Sequence, residues 1–321
     1  MPDALHSLAE LGVIVTPEHG ATFSGIRFTD GIHAVGAAFP HGKAVGIRRT
    51  RLHQLMVDQA EKQGLSISWN SKVTYLDQHS ILLNGSLVRC RWLIGADGQQ
   101  STLRRWAGLD ETSRLEQRYG FRRHYKVVPW TDFVEVHWGP RGQLFITPVG
   151  PADVGVALIT RDPTLRIDDV LPEFPFVERK LAGAPVSSQE RGSVTTTRRL
   201  KRVTVGAIAL TGDASGSVDA VTGEGLSISF RQAIALADAI ASSNLRAYQT
   251  THERIVRMPA VMSDLLLLMD RFPRLRTKAL SAMSMAPDTF EQFLSVHVGH
   301  KSLWRFLFKE APHFGWRLIT A

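Results

Sequence analysis

The sequence predicts an α/β fold with α+β character: an α/β domain, an inserted antiparallel sheet and a helical C-terminal region. Three observations predict it. Two short apolar runs end in an acid beside glycine, Trp92-Leu-Ile-Gly-Ala-Asp-Gly98 and the run from Val203 that closes in Leu210-Thr-Gly-Asp213. Apolar runs of this length bounded by glycine read as buried strands. Between them, residues 133–138, 144–147 and 154–159 read as three strands with Gly and Pro turns, which suits an antiparallel sheet. Beyond residue 241, apolar residues recur at helical spacing to about residue 293. The expected division is 1–110 with 192–245 for the α/β domain, 111–191 for the inserted sheet, and 246–321 for the helical region.

The elements follow in order. Residues 4–11 read as a short helix that needs a partner to pack on. Residues 26–39 alternate weakly about Asp30-Gly31, a hairpin turn. Leu52, Leu55, Met56, Gln59 and Ala60 repeat at helical spacing, and Gly64 closes that helix. Residues 66–70 alternate as a strand. Residues 73–76 and 81–83 read as two more, with Asn84-Gly85 as a type I′ hairpin signal. The basic, Thr-rich stretch 192–202 leads back into the strand at Val203. A helix begins at about Glu224, with Leu226, Phe230, Ala233, Ile234 and Ala237 on one face. The tail 303–319 is rich in Trp and Phe. It reads as a helix docked on the body, with peripheral membrane contact as the alternative.

Composition narrows the function classes. A chain of 321 residues with 44% hydrophobic and 21% charged residues buries a sizeable core and is globular in character. The formal charge is +8, yet the basic residues are spread over short clusters at 48–51, 104–105, 122–123, 198–202 and 271–278. No nucleic-acid motif accompanies them, so solvated faces and a few phosphate contacts are expected, and no nucleic-acid partner. No apolar run is long enough to cross a bilayer, and the N-terminus lacks a signal-peptide pattern, which predicts a cytoplasmic location. The single Cys90 excludes an intrachain disulfide and a cysteine metal cluster, and reads as an inert thiol.

The informative chemistry lies at 209–226. A strand ends in Gly212-Asp213, a glycine-containing loop follows, and Thr222-Gly-Glu-Gly-Leu226 opens a helix. This order sets a carboxylate and a helix N-terminus beside one crevice. Carboxylates accept hydrogen bonds from hydroxyls, and the free N–H groups of a helix N-terminus favour negative charge. The expected ligand is polyhydroxylated and partly anionic. Asp97, 116 residues earlier than Asp213, ends the other acid-closed strand. Either acid by itself reads equally well as a turn or helix cap.

Together the two runs resemble the internal signatures of the FAD-dependent oxidoreductase and monooxygenase superfamily of aromatic-hydroxylase type. Gly95-Ala-Asp-Gly98 with Ser101 and Arg104 is similar to its Asp-Gly motif, and Gly212-Asp213-Ala214 with Gly223-Glu-Gly225 to its Gly-Asp motif. The resemblance implies an FAD/NAD(P)-binding Rossmann-like domain. It implies that Asp213 contacts the ribityl chain of FAD and that the backbone of Gly223, Glu224, Gly225 and Leu226 faces the isoalloxazine. Asp97 and Gly98 would line the cofactor crevice, Arg49 would contact FAD, and Arg104 or Arg105 would pair with phosphate. Glu224 also reads as a first-turn helix acid.

The chain departs from the family in three places. The N-terminal Gly-x-Gly-x-x-Gly unit is absent, so the Rossmann-like domain reads as N-terminally truncated by about 40–50 residues. Ala214-Ser-Gly-Ser-Val-Asp219 lacks the His and Pro common in hydroxylases and is closer to the reductase-type branch. The Trp-x-Trp-x-Ile-Pro segment of flavin halogenases is missing. The resemblance implies a monooxygenase acting on a small, apolar organic substrate, with FAD as cofactor and NAD(P)H or another donor. The alternatives are a flavin-dependent reductase of geranylgeranyl-reductase type, and a truncated remnant without an intact FAD site that is inactive or only binds. His124 and His137 flank the sheet and read as hydrogen-bonded structural residues. No catalytic residue, metal site or oligomeric state is assigned.

Overall fold

The computed structural model describes residues 1–297. Helix α1 (Pro2–Glu10) opens with proline in its first turn, where the missing N–H has no helical partner to lose. Strands β1 (Ala21–Phe23), β2 (Gly25–Thr29), β3 (Ala34–Ala38) and β4 (Ala44–Gly46) follow. The Asp30 carboxylate accepts from the Ile32 and His33 N–H groups and holds the expected hairpin between β2 and β3. Helix α2 (Arg49–Lys62) ends before Gly64, which takes a φ of 70°. Residues 66–70 are not a strand: among the described residues no strand pairs with them, and Trp69 stays 58% exposed. Alternation without a partner edge gives the backbone no ladder to join. Strands β5 (Val73–Asp77), β6 (Ser80–Leu83) and β7 (Ser86–Arg89) form an antiparallel meander. Its second turn is Asn84-Gly85, at φ 51° and 87°, the two positive values that a type I′ turn requires.

Strand β8 (Leu93–Gly95) and helix α3 (Thr102–Trp106) carry the first acid-ended run. The middle of the chain supplies β9 (Thr112–Tyr125), β10 (Phe133–Trp138), β11 (Gln143–Gly150), β12 (Asp153–Thr160), helices α4 (Ile167–Val170) and α5 (Pro175–Leu181), and β13 (Val186–Leu200). Strands β14 (Thr204–Val205) and β15 (Ile208–Leu210) replace the single strand expected over 203–210, because Gly206 at φ 55° reverses the chain. Helices α6 (Gly225–Ala241), α7 (Leu245–Arg271), α8 (Pro273–Ser284) and α9 (Pro287–His297) complete the described chain. The tail 303–319 lies outside the described residues. Among the described residues no helix is long and apolar enough to cross a membrane.

Two sheets position the site. The smaller has the order β14-β15-β8, with β15 and β8 parallel, so the two acid-ended strands lie side by side. The larger has seven strands in the order β13-β9-β12-β11-β10-β2-β3; it is antiparallel except where β10 runs parallel to β2. The three expected strands are its middle, while β9 and β13 form a long ribbon at one side and β2 and β3 add the other. One face carries Phe28, Val136 and Trp138 and packs under Leu266, Leu280 and Phe290 of α7, α8 and α9. The opposite face carries Leu144, Ile146, Val156 and Leu158 and is covered by α4 and α5. Helix α6 is buried on two sides, by Phe230 against Leu8 and Leu52, and by Leu236 and Ala239 against Leu210 and Tyr248. Of the face expected from its apolar spacing, Leu226 and Phe230 pack in the first core, while Ala237 is exposed and the second core takes Leu236 and Ala239 from outside that face.

Candidate functional site

The turn after β15 is held from behind. The Gly212 N–H donates to Gln232 Oε1 at 2.8 Å, and Gly212 adopts a φ of 58°. The Ser215 hydroxyl donates to the Gly212 carbonyl at 2.8 Å, His252 Nε2 lies 2.9 Å from that hydroxyl, and the Tyr248 hydroxyl donates to the Leu210 carbonyl at 2.9 Å. Burial lowers the His252 pKa to about 4 and raises that of Tyr248 to about 12, so both are neutral near neutral pH. Asp213 is left facing outward and half-buried. Burial raises its pKa, opposed by the Arg49 charge and a hydrogen bond with Gln99. Arg49, the first residue of α2, faces both Asp213 and Arg122.

Gly212, Asp213 and Gly225 line one cleft of about 480 Å³ with Arg198, Ser217 and His252. No side chain caps α6, whose first residues are Gly225, Leu226 and Ser227. The carboxylate and the helix N-terminus share a crevice, the arrangement expected from their order in the sequence. A Cβ at Gly98, Gly223 or Gly225 would meet no atom within 4 Å. Gly98 and Gly223 take φ values of 75° and 67°, which other residues rarely adopt. At Gly225 the open space alone distinguishes the position.

The loop before α6 is anchored by a buried ion pair. Arg118 Nη1 and Asp219 Oδ1 lie 3.0 Å apart, each side chain only 2% exposed. The same carboxylate oxygen accepts from the Val221 N–H at 2.9 Å. Arg118 also donates to Gln143 Oε1 at 3.2 Å, which ties residues 219–223 to β11. On the other side of this loop is an apolar cavity of about 270 Å³. Its walls include Phe28, Val134 and Phe145 from the large sheet, Leu226 from α6, and Phe290 from α9. Gly223 lines it as well, so the loop and α6 N-terminus stand between the cleft and the cavity. His297 also lines the cavity; burial lowers its pKa to about 4, and its Nε2 bonds the Thr222 carbonyl at 3.2 Å.

Several side chains behave differently from their sequence expectation. Arg104 is 1% exposed and donates to Asp110, to the Ala214 carbonyl and to the Gln99 carbonyl. It clamps the two acid-ended turns together and has no spare fork for a phosphate. Arg105 is exposed and donates to the Gln100 carbonyl. Asp97 accepts from the Thr102 and Leu103 N–H groups and so caps α3. Burial acts to raise its pKa, but hydrogen bonds from Ser101, Leu103 and Thr102 outweigh it and hold the acid below its usual range. Gly98 follows it at the same turn. Glu224 makes no cap bond; its side chain is buried, and among the described residues Oε2 has no hydrogen-bond partner. Burial and the Asp3 charge push its pKa up to about 8. His124 lies 2.8 Å from the Ser188 hydroxyl, and His137 3.1 Å from Glu135. Cys90 is half-buried beside the core under β8. Among the described residues no cluster of His, Cys, Asp and Glu could hold a metal. Gln99, Arg122, Gln232 and His252 were not legible as site residues, though a polar Gln and His on the inner faces of two apolar helices are a usable signal.

Residues 14–139 match the family model described as FAD binding domain. The digeranylgeranylglycerophospholipid reductase of Methanosarcina acetivorans is 26% identical over 199 residues, which cover 56% of this chain and 49% of the relative. The chain spans about half the length of the curated relatives it matches. Among solved structures, a triple mutant of the flavin-dependent brominase Bmp2 superposes with a TM-score of 0.78 at 16% identity, over 97% of this chain and 88% of that one. The tetrameric form of 2-methyl-3-hydroxypyridine-5-carboxylic acid oxygenase gives a TM-score of 0.62 at 18% identity, over 82% and 76%. The chain shares the fold of these enzymes, and residues 14–139 carry the match to an FAD binding domain, as the motifs implied.

Proposed function

We propose that this chain, which carries the FAD-binding fold, acts as an FAD-dependent monooxygenase on a small, apolar organic substrate, with NAD(P)H or another reductant as donor. One observation carries the reading: Asp213 and the α6 N-terminus line one cleft, and the adjoining loop, at Val221, Thr222 and Gly223, lines an apolar cavity with Leu226. FAD, when bound, would supply two-electron redox chemistry and the activation of dioxygen. The residues present fit its flavin end. Asp213, held by Arg49 and Gln99, can accept from ribityl hydroxyls. The uncapped N–H groups of α6 favour negative charge on a flavin ring. The open space beside Gly223 and Gly225 lets a planar group approach the backbone. The cavity walls exclude water and select apolar substrates. His297, neutral above about pH 4, fixes the Thr222 carbonyl and so the loop that separates cofactor from substrate.

The test begins with colour. Purified protein should carry, or be reconstituted with, flavin that shows its visible absorbance and is released as FAD on denaturation. A colourless protein that cannot be reconstituted refutes the reading and leaves a binding role. With flavin bound, oxygen uptake and a product that gains one oxygen atom support monooxygenation. A product that gains two hydrogens without oxygen uptake favours the second reading, a flavin-dependent reductase. The His- and Pro-free loop 214–219 and the similarity to a phospholipid reductase favour that alternative.

A further inference from the structure

A second cavity, about 260 Å³, lies at the other end of β11, where the turn 139–142 meets the junction of α7 and α8. Four arginines line it: Arg118, Arg141, Arg161 and Arg276. Two of them are buried and incompletely satisfied. Arg118 is 2% exposed and Arg276 8% exposed, and among the described residues the Nε of each has no hydrogen-bond partner. The carboxylates near them are shared: Asp270 and Asp162 line the cavity with the four arginines, and Asp270 lies 3.9 Å from Arg118. Asp219 accepts from Arg118 and the Val221 N–H, and Asp270 from Gln143 and Arg161. Asp162 accepts from Thr164, and Asp30 from Ile32 and His33. Arg141 is paired with Glu173. Arg276 stacks its guanidinium 5.4 Å from the centre of the Trp138 ring, which fixes its direction.

The helix that bears Arg276 adds to the field. Pro273, the first residue of the 12-residue α8, lines the same cavity. No side chain caps α8 and its first turn holds no acidic residue, so its N-terminal partial positive charge adds to the four arginines against the two lining carboxylates, Asp162 and Asp270. Buried guanidinium groups without a full set of acceptors are costly, and an oxyanion supplies acceptors in the planar geometry that arginine matches. A volume near 260 Å³ is at the small end for ligand pockets and suits a group rather than a whole large ligand. We propose that this cavity is a phosphate-binding site, occupied by free phosphate or by the phosphate head of a larger ligand. Trp138 and Phe28, 6.4 Å apart, lie on the sheet face between it and the apolar cavity.

Titration calorimetry and thermal unfolding of the full chain test it, with inorganic phosphate and, separately, decyl phosphate, each against sodium chloride at equal ionic strength. Saturable phosphate binding that weakens about tenfold or more in Arg276→Met supports a free-phosphate site. Binding of decyl phosphate alone, lost in the same variant, supports the head of an amphiphile. No saturable binding by either probe, or affinity unchanged in Arg276→Met, overturns the proposal. Should Arg276→Met fail to fold, Arg161→Gln at the exposed rim decides: weaker binding supports the site and unchanged affinity overturns it.

Discussion

Replacing Asp219 by alanine would unlock the loop that divides the cleft from the apolar cavity. The substitution strips the Arg118 guanidinium, 2% exposed, of its ion-pair partner at 3.0 Å, and leaves it with Gln143 and a distant Asp270 at 3.9 Å. Breaking one partner of a buried pair costs about 3–5 kcal/mol, because the remaining charge stays desolvated. Loss of the cap on the Val221 N–H adds roughly 1 kcal/mol. At about 2–4 °C per kcal/mol, the melting temperature should fall by roughly 8–24 °C in differential scanning calorimetry. The pair, rather than either residue, is the unit. Arg118→Met combined with Asp219→Ala should therefore be less destabilised than the sum of the single variants. A melting temperature within about 2 °C of the parent for Asp219→Ala, or strict additivity in the cycle, would refute the reasoning.

Three further outcomes follow from the same geometry. Asp213→Ala should weaken flavin retention about tenfold without changing the melting temperature of the flavin-free protein, as read by equilibrium dialysis; unchanged occupancy would remove Asp213 from the site. His252 and His297 are neutral in the fold down to about pH 4, while an unfolded chain protonates both near pH 6.5. Their stability is present above pH 6.5 and is lost as pH falls toward 4, at up to about 2.7 kcal/mol per pH unit for the two together. His252→Gln should make that acid limb shallower in urea titrations at several pH values. Val134→Trp should fill part of the apolar cavity, and lower turnover of apolar substrates at unchanged flavin content in a steady-state assay.

What the sequence made legible was local. The acid-ended strands could be read because β8 and β15 bury apolar side chains and stop at glycine, and Asn84-Gly85 could be read because few residues accept two positive φ values in succession. The ribbon of β9 and β13 could not, since Arg118, Arg122, Thr195, Thr196 and Arg198 interrupt its apolar pattern. Its partners are set by pairing across more than 60 residues, such as Gly192 with Phe121. Likewise Arg118 meets Asp219 across 101 positions, and only the closed sheet brings them together. Arg104 misleads in sequence for the opposite reason: a basic residue beside a cofactor motif reads as a phosphate contact, while its 1% exposure and three acceptors make it a clamp.

The protonation state of one histidine links packing to the cleft. The Ser215 hydroxyl has a single hydrogen, and the Gly212 carbonyl at 2.8 Å is positioned to take it. With that hydrogen directed to the carbonyl, His252 Nε2, 2.9 Å from the same oxygen, donates in the tautomer that carries its hydrogen on Nε2. The other side of Gly212 is held by Gln232, whose Oε1 accepts the Gly212 N–H. Gln232 belongs to α6 and His252 to α7, so the direction in which Asp213 points depends on how these two helices pack. Protonating His252 puts a charge where burial disfavours it and adds an Nδ1 hydrogen that needs an acceptor. The cost falls on the turn bearing Asp213, whereas the large sheet and its apolar cavity are held by cores that do not include this histidine. Acid should therefore loosen the cofactor cleft through His252 over the same pH range in which His297 releases the Thr222 carbonyl at the apolar cavity, because both histidines stay neutral down to about pH 4.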